Sequence, residues 1–248
     1  MIYDIQNASL WKRASAWLLD FIIFLILATG FAFVMSLITN YSHYDEELHK
    51  YYTQYEEEYN ARIDITSSEI EELSEEDRAR YEEMFEALNN DQDVLYYYNM
   101  TINLMIVIVS IGCLLSVIVS EFVVPLIFKN GQTIGKKVFA LGVVKNNAVR
   151  ITHLQLFIRS FLGKFAIEIM IPVIMIIMLI AGQGNVFNVI LLVGIVILQG
   201  ILCIMTKYHQ AIHDVLAYTV VVDLQTQMIF DNEDELLEYK KQNHLSKI

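Results

Sequence analysis

Four stretches of this 248-residue chain are almost free of charge, at about 14–38, 100–128, 165–181 and 186–206. Each is near or above the roughly 17–25 residues that a helix needs to cross hydrocarbon. The rest of the chain is heavily charged. Mean hydropathy is +0.43 while the formal net charge is −12, and the two values coexist because apolar and charged residues are segregated along the chain. The expected fold class is therefore an all-α integral membrane protein with four transmembrane helices. Lys12 and Arg13 precede the first apolar run in the manner of a signal peptide. That run exceeds the roughly 7–15 apolar residues of a signal, and no small-x-small cleavage site follows it, so it reads as a retained span.

The polar segments assign an orientation. Residues 129–164 carry Lys129, Lys136, Lys137, Lys145, Arg150, Arg159 and Lys164 with no Asp or Glu, whereas residues 40–99 carry four basic and eighteen acidic residues. Lys and Arg in short loops favour the cytoplasmic side. The expectation is a multi-pass protein of the plasma membrane, with both termini and 129–164 inside and 40–99 outside. Trp11 and Trp17 at one end, and Tyr96, Tyr97 and Tyr98 at the other, suit the two interfacial belts. The segments are then 1–39 (N-terminus and first span), 40–99 (acidic loop), 100–128 (second span), 129–164 (basic segment), 165–206 (third and fourth spans) and 207–248 (a His-Asp segment and polar tail).

Within the acidic loop, Leu48, Tyr52, Tyr55 and Tyr59 make a narrow apolar stripe at helical spacing. Ser74-Glu75-Glu76-Asp77 opens a second helix with a capping-box-like start. Tyr81, Met84, Phe85 and Leu88 share a face of that helix. The expectation is a helical hairpin, with the Glu runs as its solvated face. In the basic segment, 131–137 reads as a turn and "ALGVVKN" as a short strand. "THLQLFIRSFLGK" begins with Thr152 and Gln155 in capping-box spacing and reads as an interfacial helix, a surface for anionic lipid headgroups. Residues 207–223 echo this segment loosely. Gln132-x-Ile134 returns as Gln210-x-Ile212, and Ala-Leu-Gly-Val-Val as Ala-Tyr-Thr-Val-Val. Two such strands on one face of the membrane form a small cap if they pair.

The charges within or beside the spans are the candidate site: Arg13, Asp20, Glu121, Arg159, Lys164, Glu168 and Asp214. A carboxylate in hydrocarbon costs roughly 2.5–3.5 kcal/mol on insertion scales, so such groups are paired or functional. Asp20, Glu121 and Glu168 are the ion-pathway candidates. Glu168 lies four residues after Lys164, where the two pair along one helix face. Arg13 shares a face with Asp20 but leans away from it, because helical side chains point toward the N-terminus. The expected partner of Asp20 is therefore Arg159, with Arg13 second, and Asp214 is expected to meet Lys136 or the backbone of the 131–137 turn. Gly112, Ser116 and Ser120 form a small-residue seam on the second span.

Other chemistries are not supported. "GQTIGKK" departs from the phosphate loop at both ends, with Asn130 for its first Gly and Lys137 for its Ser/Thr. His209 and His213 are four apart, but no metalloprotease pattern surrounds them. Cys113 and Cys203 lie in spans as small packing residues. No nucleophilic triad appears, so neither an enzyme, a cofactor nor a nucleic-acid partner is expected.

Taken together, these residues resemble the RDD family of membrane proteins. That pattern places an arginine at the start of the first span and an aspartate within it, as Arg13 and Asp20 stand here. A second aspartate follows the last span, as in His213-Asp214. The family's Gly-x-Thr-x-Gly-Lys turn is similar to Gly131, Thr133, Gly135 and Lys136. An acid often precedes that turn and an arginine follows it, like Glu121 and Arg159. The acidic loop departs from the family by its length. The resemblance implies transport for some members, sodium–proton exchange among it, and an accessory or regulatory role for others. The first expectation here is transport, either monovalent cation–proton exchange or small-solute permeation, with Asp20 and Glu121 titrating and Arg13 and Arg159 tuning them. A homo-oligomer is then expected, since four spans are few for a transporter. The alternative is a non-catalytic accessory or regulatory protein whose external hairpin binds a partner.

Overall fold

The computed structural model describes residues 4–128, 130–182 and 184–245, so Lys129 of the basic segment lies outside the described residues. Four helices are long and apolar enough to cross a membrane: α1 (Leu10–Ile38), α5 (Gln92–Phe128), α7 (His153–Ile180) and α8 (Val186–Met205). Between α1 and α5 lie α2 (Tyr41–Tyr59), α3 (Ser67–Glu72) and α4 (Glu75–Asn90). Short elements complete the chain: α6 (Ile134–Val138), β1 (Leu141–Lys145), α9 (Ile212–Ala217), β2 (Thr219–Asp223) and α10 (Glu233–Leu245). The apolar faces of the spans point outward, with Ile26, Phe33 and Ile204 each more than 60% exposed. Faces of that size need lipid as their solvent. The chain is a multi-pass membrane protein.

The chain divides into two compact units, residues 1–31 with 110–248, and residues 32–109. In the second unit, α2, α4 and the start of α5 pack through Leu48, Met84, Leu88 and Val94, with Tyr52, Tyr55, Tyr59 and Tyr81 around them. Ser74 caps α4 by accepting from Asp77 N, and Thr66 forms a complete capping box with Glu69 on α3. Phe85 stays 38% exposed, its ring tilted against that of Tyr81 rather than inserted in the core.

In the first unit, the expected strands pair. β1 and β2 run antiparallel, with Leu141 opposite Asp223 and Val143 opposite Val221. Val144 of β1 and Val220 and Val222 of β2 are fully buried on one face of the pair. The helix expected to lie apart at the interface is instead continuous with the third span. Thr152 and Gln155 form the capping box, and the helix then runs from His153 to Ile180 without a break. Its middle, Ile158–Met170, is wound as a π-helix, as is Ile118–Val123 of α5. Such winding is rare and recurs at functional sites. Phe122, Phe157 and Phe161 cluster where the two segments meet.

The echo in the sequence is a structural repeat. Gln132, Ile134, Ala140 and Leu141 recur 78 positions on as Gln210, Ile212, Tyr218 and Thr219. Gln132 donates to the Leu141 carbonyl at 2.7 Å, and Gln210 to the Thr219 carbonyl at 2.8 Å. Ala140 and Tyr218, each between helix and strand, are both left-handed at φ 53° and 54°. The Ala-Leu-Gly-Val-Val echo is one position out of this register, which the left-handed residues set. Val143 and Val221 are each other's equivalent and also face each other in the sheet. A pseudo-two-fold axis therefore passes between them.

Candidate functional site

The repeat reaches into the spans through two carboxylates. Asp20, on α1, accepts from the Gly135 amide at 2.7 Å and from the Thr133 hydroxyl at 2.5 Å, at the start of α6. Lys136 Nζ stands 3.7 Å from Asp20 and donates to Thr133 at 3.1 Å. His213 is the counterpart of Gly135, and its amide donates to Glu168 of α7 at 3.1 Å. So an acid from the first span and an acid from the third each bind the first turn of a short helix. The orphan amides of a helix start suit a carboxylate. The close approach needs glycine on each side of the pairing. A Cβ on Gly135 would meet the Ala16 carbonyl oxygen at 2.2 Å, and one on Gly163 would meet His213 Cβ at 2.4 Å.

Two pairings differ from expectation. Arg159 binds Asp214, not Asp20, and also donates to Thr219 at 2.9 Å. Arg13 leans away from Asp20, as expected, to donate to the Tyr208 carbonyl at 3.0 Å, with Asp214 3.6 Å away. Asp214 thus belongs to the two arginines, while Asp20 belongs to the turn that was expected to hold Asp214. The physical reason is the packing of α9 over Gly163, which brings Asp214 onto Arg159 and leaves the α6 turn facing α1. Lys164 and Glu168 do not pair with each other either. Lys164 binds Glu121, and Glu168 binds His213 Nδ1 at 2.8 Å. The i, i+4 neighbourhood is a property of α-helical winding, and both residues lie in the π-wound stretch.

His213 was not among the site residues chosen from the sequence, yet it links two of the pairs. Its Nε2 lies 3.0 Å from Arg159 Nη2. A guanidinium only donates, so Nε2 is the acceptor and the proton sits on Nδ1, facing Glu168. His213 is therefore neutral. Burial and then Arg159 push its pKa down, against Glu168 and Asp214. Burial also lowers the Lys136 ammonium to about 8, with Glu121 and Asp20 opposing. Burial acts most strongly on the Asp214 carboxyl, to raise it, but Arg159 and the neighbours His213, Arg13 and the Ala211 amide together outweigh burial and hold the group well below the usual carboxylate range. His209 is engaged elsewhere, with Nδ1 2.8 Å from the Cys203 carbonyl oxygen.

Two cavities adjoin these groups. The larger, about 410 Å³, is walled by Arg13, Asp20, Lys136, Arg159, Lys164 and Glu168 among others. The smaller, about 150 Å³, is lined by Glu121, Phe24, Val117 and Ile169, and shares Trp17, Asp20, Lys164 and Glu168 with the larger. Ser116 of the small-residue seam donates to the Phe24 carbonyl at 2.9 Å, tying α5 to α1 beside it.

Four apolar spans, a two-stranded cap and a buried set of span-to-cap ion pairs define a polytopic membrane protein whose charges are organised around an internal site. Family comparison matches residues 7–218 to the RDD family, and the chain belongs to it. Neither the comparison with curated proteins nor that with solved structures gave a match.

Proposed function

We propose that this protein moves a small solute across the membrane in exchange for protons, with Asp20, Glu121 and Glu168 carrying the charge changes. The observation that carries this reading is the pair of adjoining cavities, which share Asp20, Lys164 and Glu168 and extend along the spans to Glu121. Ion pairs that served only to fasten helices would sit in sealed seams. These line open volume. Each carboxylate is already held, Asp20 by the α6 turn, Glu121 by Lys164 and Glu168 by His213. Protonating any of them frees its partner, which is how a proton and a solute can be coupled. A bare metal cation would have to displace a protein cation or the α6 turn, so small-solute movement fits better than monovalent cation exchange. The cap faces the cytoplasm of the plasma membrane in this reading, because of its Lys and Arg. A homo-oligomer shields part of the exposed apolar helix surface, and no enzymatic step is involved.

The test is flux in proteoliposomes containing only this protein, with a pH-sensitive dye enclosed and solute gradients imposed. Solute-dependent proton movement that Glu121→Gln abolishes is the expected result. Traces indistinguishable from empty liposomes across amino acids, organic anions and monovalent cations would refute transport. The accessory reading has its own support in residues 32–109. That unit has a core of its own and a groove of about 800 Å³ lined by Glu56, Glu57, Arg62, Glu69 and Asp77. A protein segment of mixed charge suits that groove.

A further inference from the structure

The larger cavity is lined by both copies of the repeated segment and by the spans bound to them. Lys136 belongs to the first copy and His213 to the second, while Arg13 and Asp20 stand on α1, which binds the first copy, and Arg159, Lys164 and Glu168 on α7, which binds the second. In transporters built from repeats, the interface between them is where substrate binds. The charges on this wall are not balanced. Four are cations and two are carboxylates, while Asp214 and Glu121, which pair with Arg159 and Lys164, are not among its lining residues.

Hydrogen-bonding capacity is skewed in the same direction. Both oxygens of Asp20 already accept bonds, and both oxygens of Glu168 face His213 Nδ1 within 2.9 Å. Lys164 has three N–H groups and spends one on Glu121. Arg13 has five, directed among the described residues to the Tyr208 carbonyl and Asp214. The wall therefore offers donors. Its remaining surface is mostly apolar, with Leu10, Ala14, Trp17, Leu141 and Val221, and with Gln199 as a further polar side chain.

We infer that this cavity binds an amphipathic anion, a phosphate or carboxylate group bearing a short apolar chain. The uncommitted donors of Lys164 and Arg13 take the acid group, and the chain lies along Trp17 and Leu10. A volume of about 410 Å³ suits a head group and a short chain. An anionic lipid headgroup and a free organic anion present this same chemistry. That the ligand is also the transported solute rests on the translocation reading, whereas its binding does not.

Trp11 and Trp17 are the two tryptophans of the chain, so Trp11→Phe leaves Trp17 on the cavity wall as the reporter. The full-length protein in phosphatidylcholine nanodiscs is titrated with hexyl phosphate while Trp17 emission is followed. Saturable binding is expected, weakened at least tenfold by Arg13→Gln, where Asp214 keeps Arg159. The double variant Glu121→Gln/Lys164→Gln, which removes a pair without stranding a charge, is expected to weaken it similarly. Nanodiscs containing phosphatidylglycerol separate the sources. If the natural ligand is a lipid headgroup, hexyl phosphate competes and its apparent affinity falls. If it is a free anion, the affinity is unchanged. Hexyltrimethylammonium binding as tightly as hexyl phosphate, or affinity unaltered in both variants, overturns the inference. Binding is read at equilibrium without a gradient. Binding without flux would therefore sink transport alone, and flux without binding would sink this site alone.

Discussion

Gly135 and Asp20 are in contact through a 2.7 Å hydrogen bond from the glycine amide, in a space where no side chain fits. This contact joins the first span to the cap, and its equivalent, His213 to Glu168, joins the third. The two together put the acids of both halves at one site.

Gly135→Ala is expected to destabilise the purified protein. The added Cβ meets the Ala16 carbonyl oxygen at 2.2 Å and Asp20 Cγ at 2.9 Å. Overpacking of this kind costs about 1–3 kcal/mol, and loss of the amide–carboxylate bond adds to it. Gly194→Ala and Gly200→Ala, where nothing lies within 4 Å, serve as controls and should be neutral or slightly stabilising. Thermal unfolding in detergent measures all three. Equal losses would mean that the α6 turn is not packed against α1.

The exchange of partners between Asp20 and Asp214 gives distinct double-mutant cycles. Removing one partner from a buried pair costs roughly 3–5 kcal/mol, because a charge is stranded. The losses from Asp214→Asn and Arg159→Gln should couple by about 1 kcal/mol or more. Asp20→Asn and Arg159→Gln should be close to additive, since the two share no bond. The reverse ranking would restore the pairing expected from the sequence.

Much of this was legible in the residues, for reasons that can be named. Membrane spans are fixed by length and lack of charge. The two strands show because Val-rich runs follow a helical turn in both places. Thr152 with Gln155, and Ser74 with Asp77, mark helix starts because capping acts over three residues. Which acid meets which cation was not legible. Spacing within a helix says nothing about which segment lies opposite, and Arg159 sits near several candidates. The π-winding of Ile158–Met170 leaves no compositional sign, so the Lys164–Glu168 assignment failed there. His213 was passed over because its role depends on Glu168 and Arg159, which are far from it in sequence. The repeat showed in the sequence as Gln132-x-Ile134 returning as Gln210-x-Ile212 and as two Val-rich runs, but its register was set by the left-handed residues Ala140 and Tyr218, which composition does not mark.

His213 makes stability depend on pH. Its pKa is depressed in the fold, so as pH falls below about 6.5 the unfolded chain binds the proton first. Stability from this group is present above the unfolded pKa and is lost as pH drops toward the folded one. Wild type should therefore lose more stability between pH 7 and pH 5 than His213→Gln, measured by denaturant unfolding at each pH. Lys136 acts in a higher window. With a folded pKa of about 8 against an ordinary 10.5, its contribution makes stability rise with pH between those values, and Lys136→Gln should flatten that rise. A steeper slope in either variant would contradict the assigned protonation.

Orientation is checked by labelling. In a variant with Cys113 and Cys203 replaced, a cysteine at the exposed position Ser68 should react with an impermeant thiol reagent on whole cells, and one at the exposed position Asn146 should not. Labelling at Asn146 alone would invert the protein in the membrane.

The central claim is that the buried charges between the repeat halves, and not the acidic unit at 32–109, are where the protein acts. The most direct measurement compares solute-driven proton flux in proteoliposomes for wild type, Asp20→Asn, and a variant with 45–92 replaced by a short linker. All three are reconstituted at equal density after confirming that each is folded. The account predicts that Asp20→Asn lowers the flux at least tenfold while the deletion leaves it within about twofold of wild type. Flux that survives Asp20→Asn but disappears with 45–92 would contradict it.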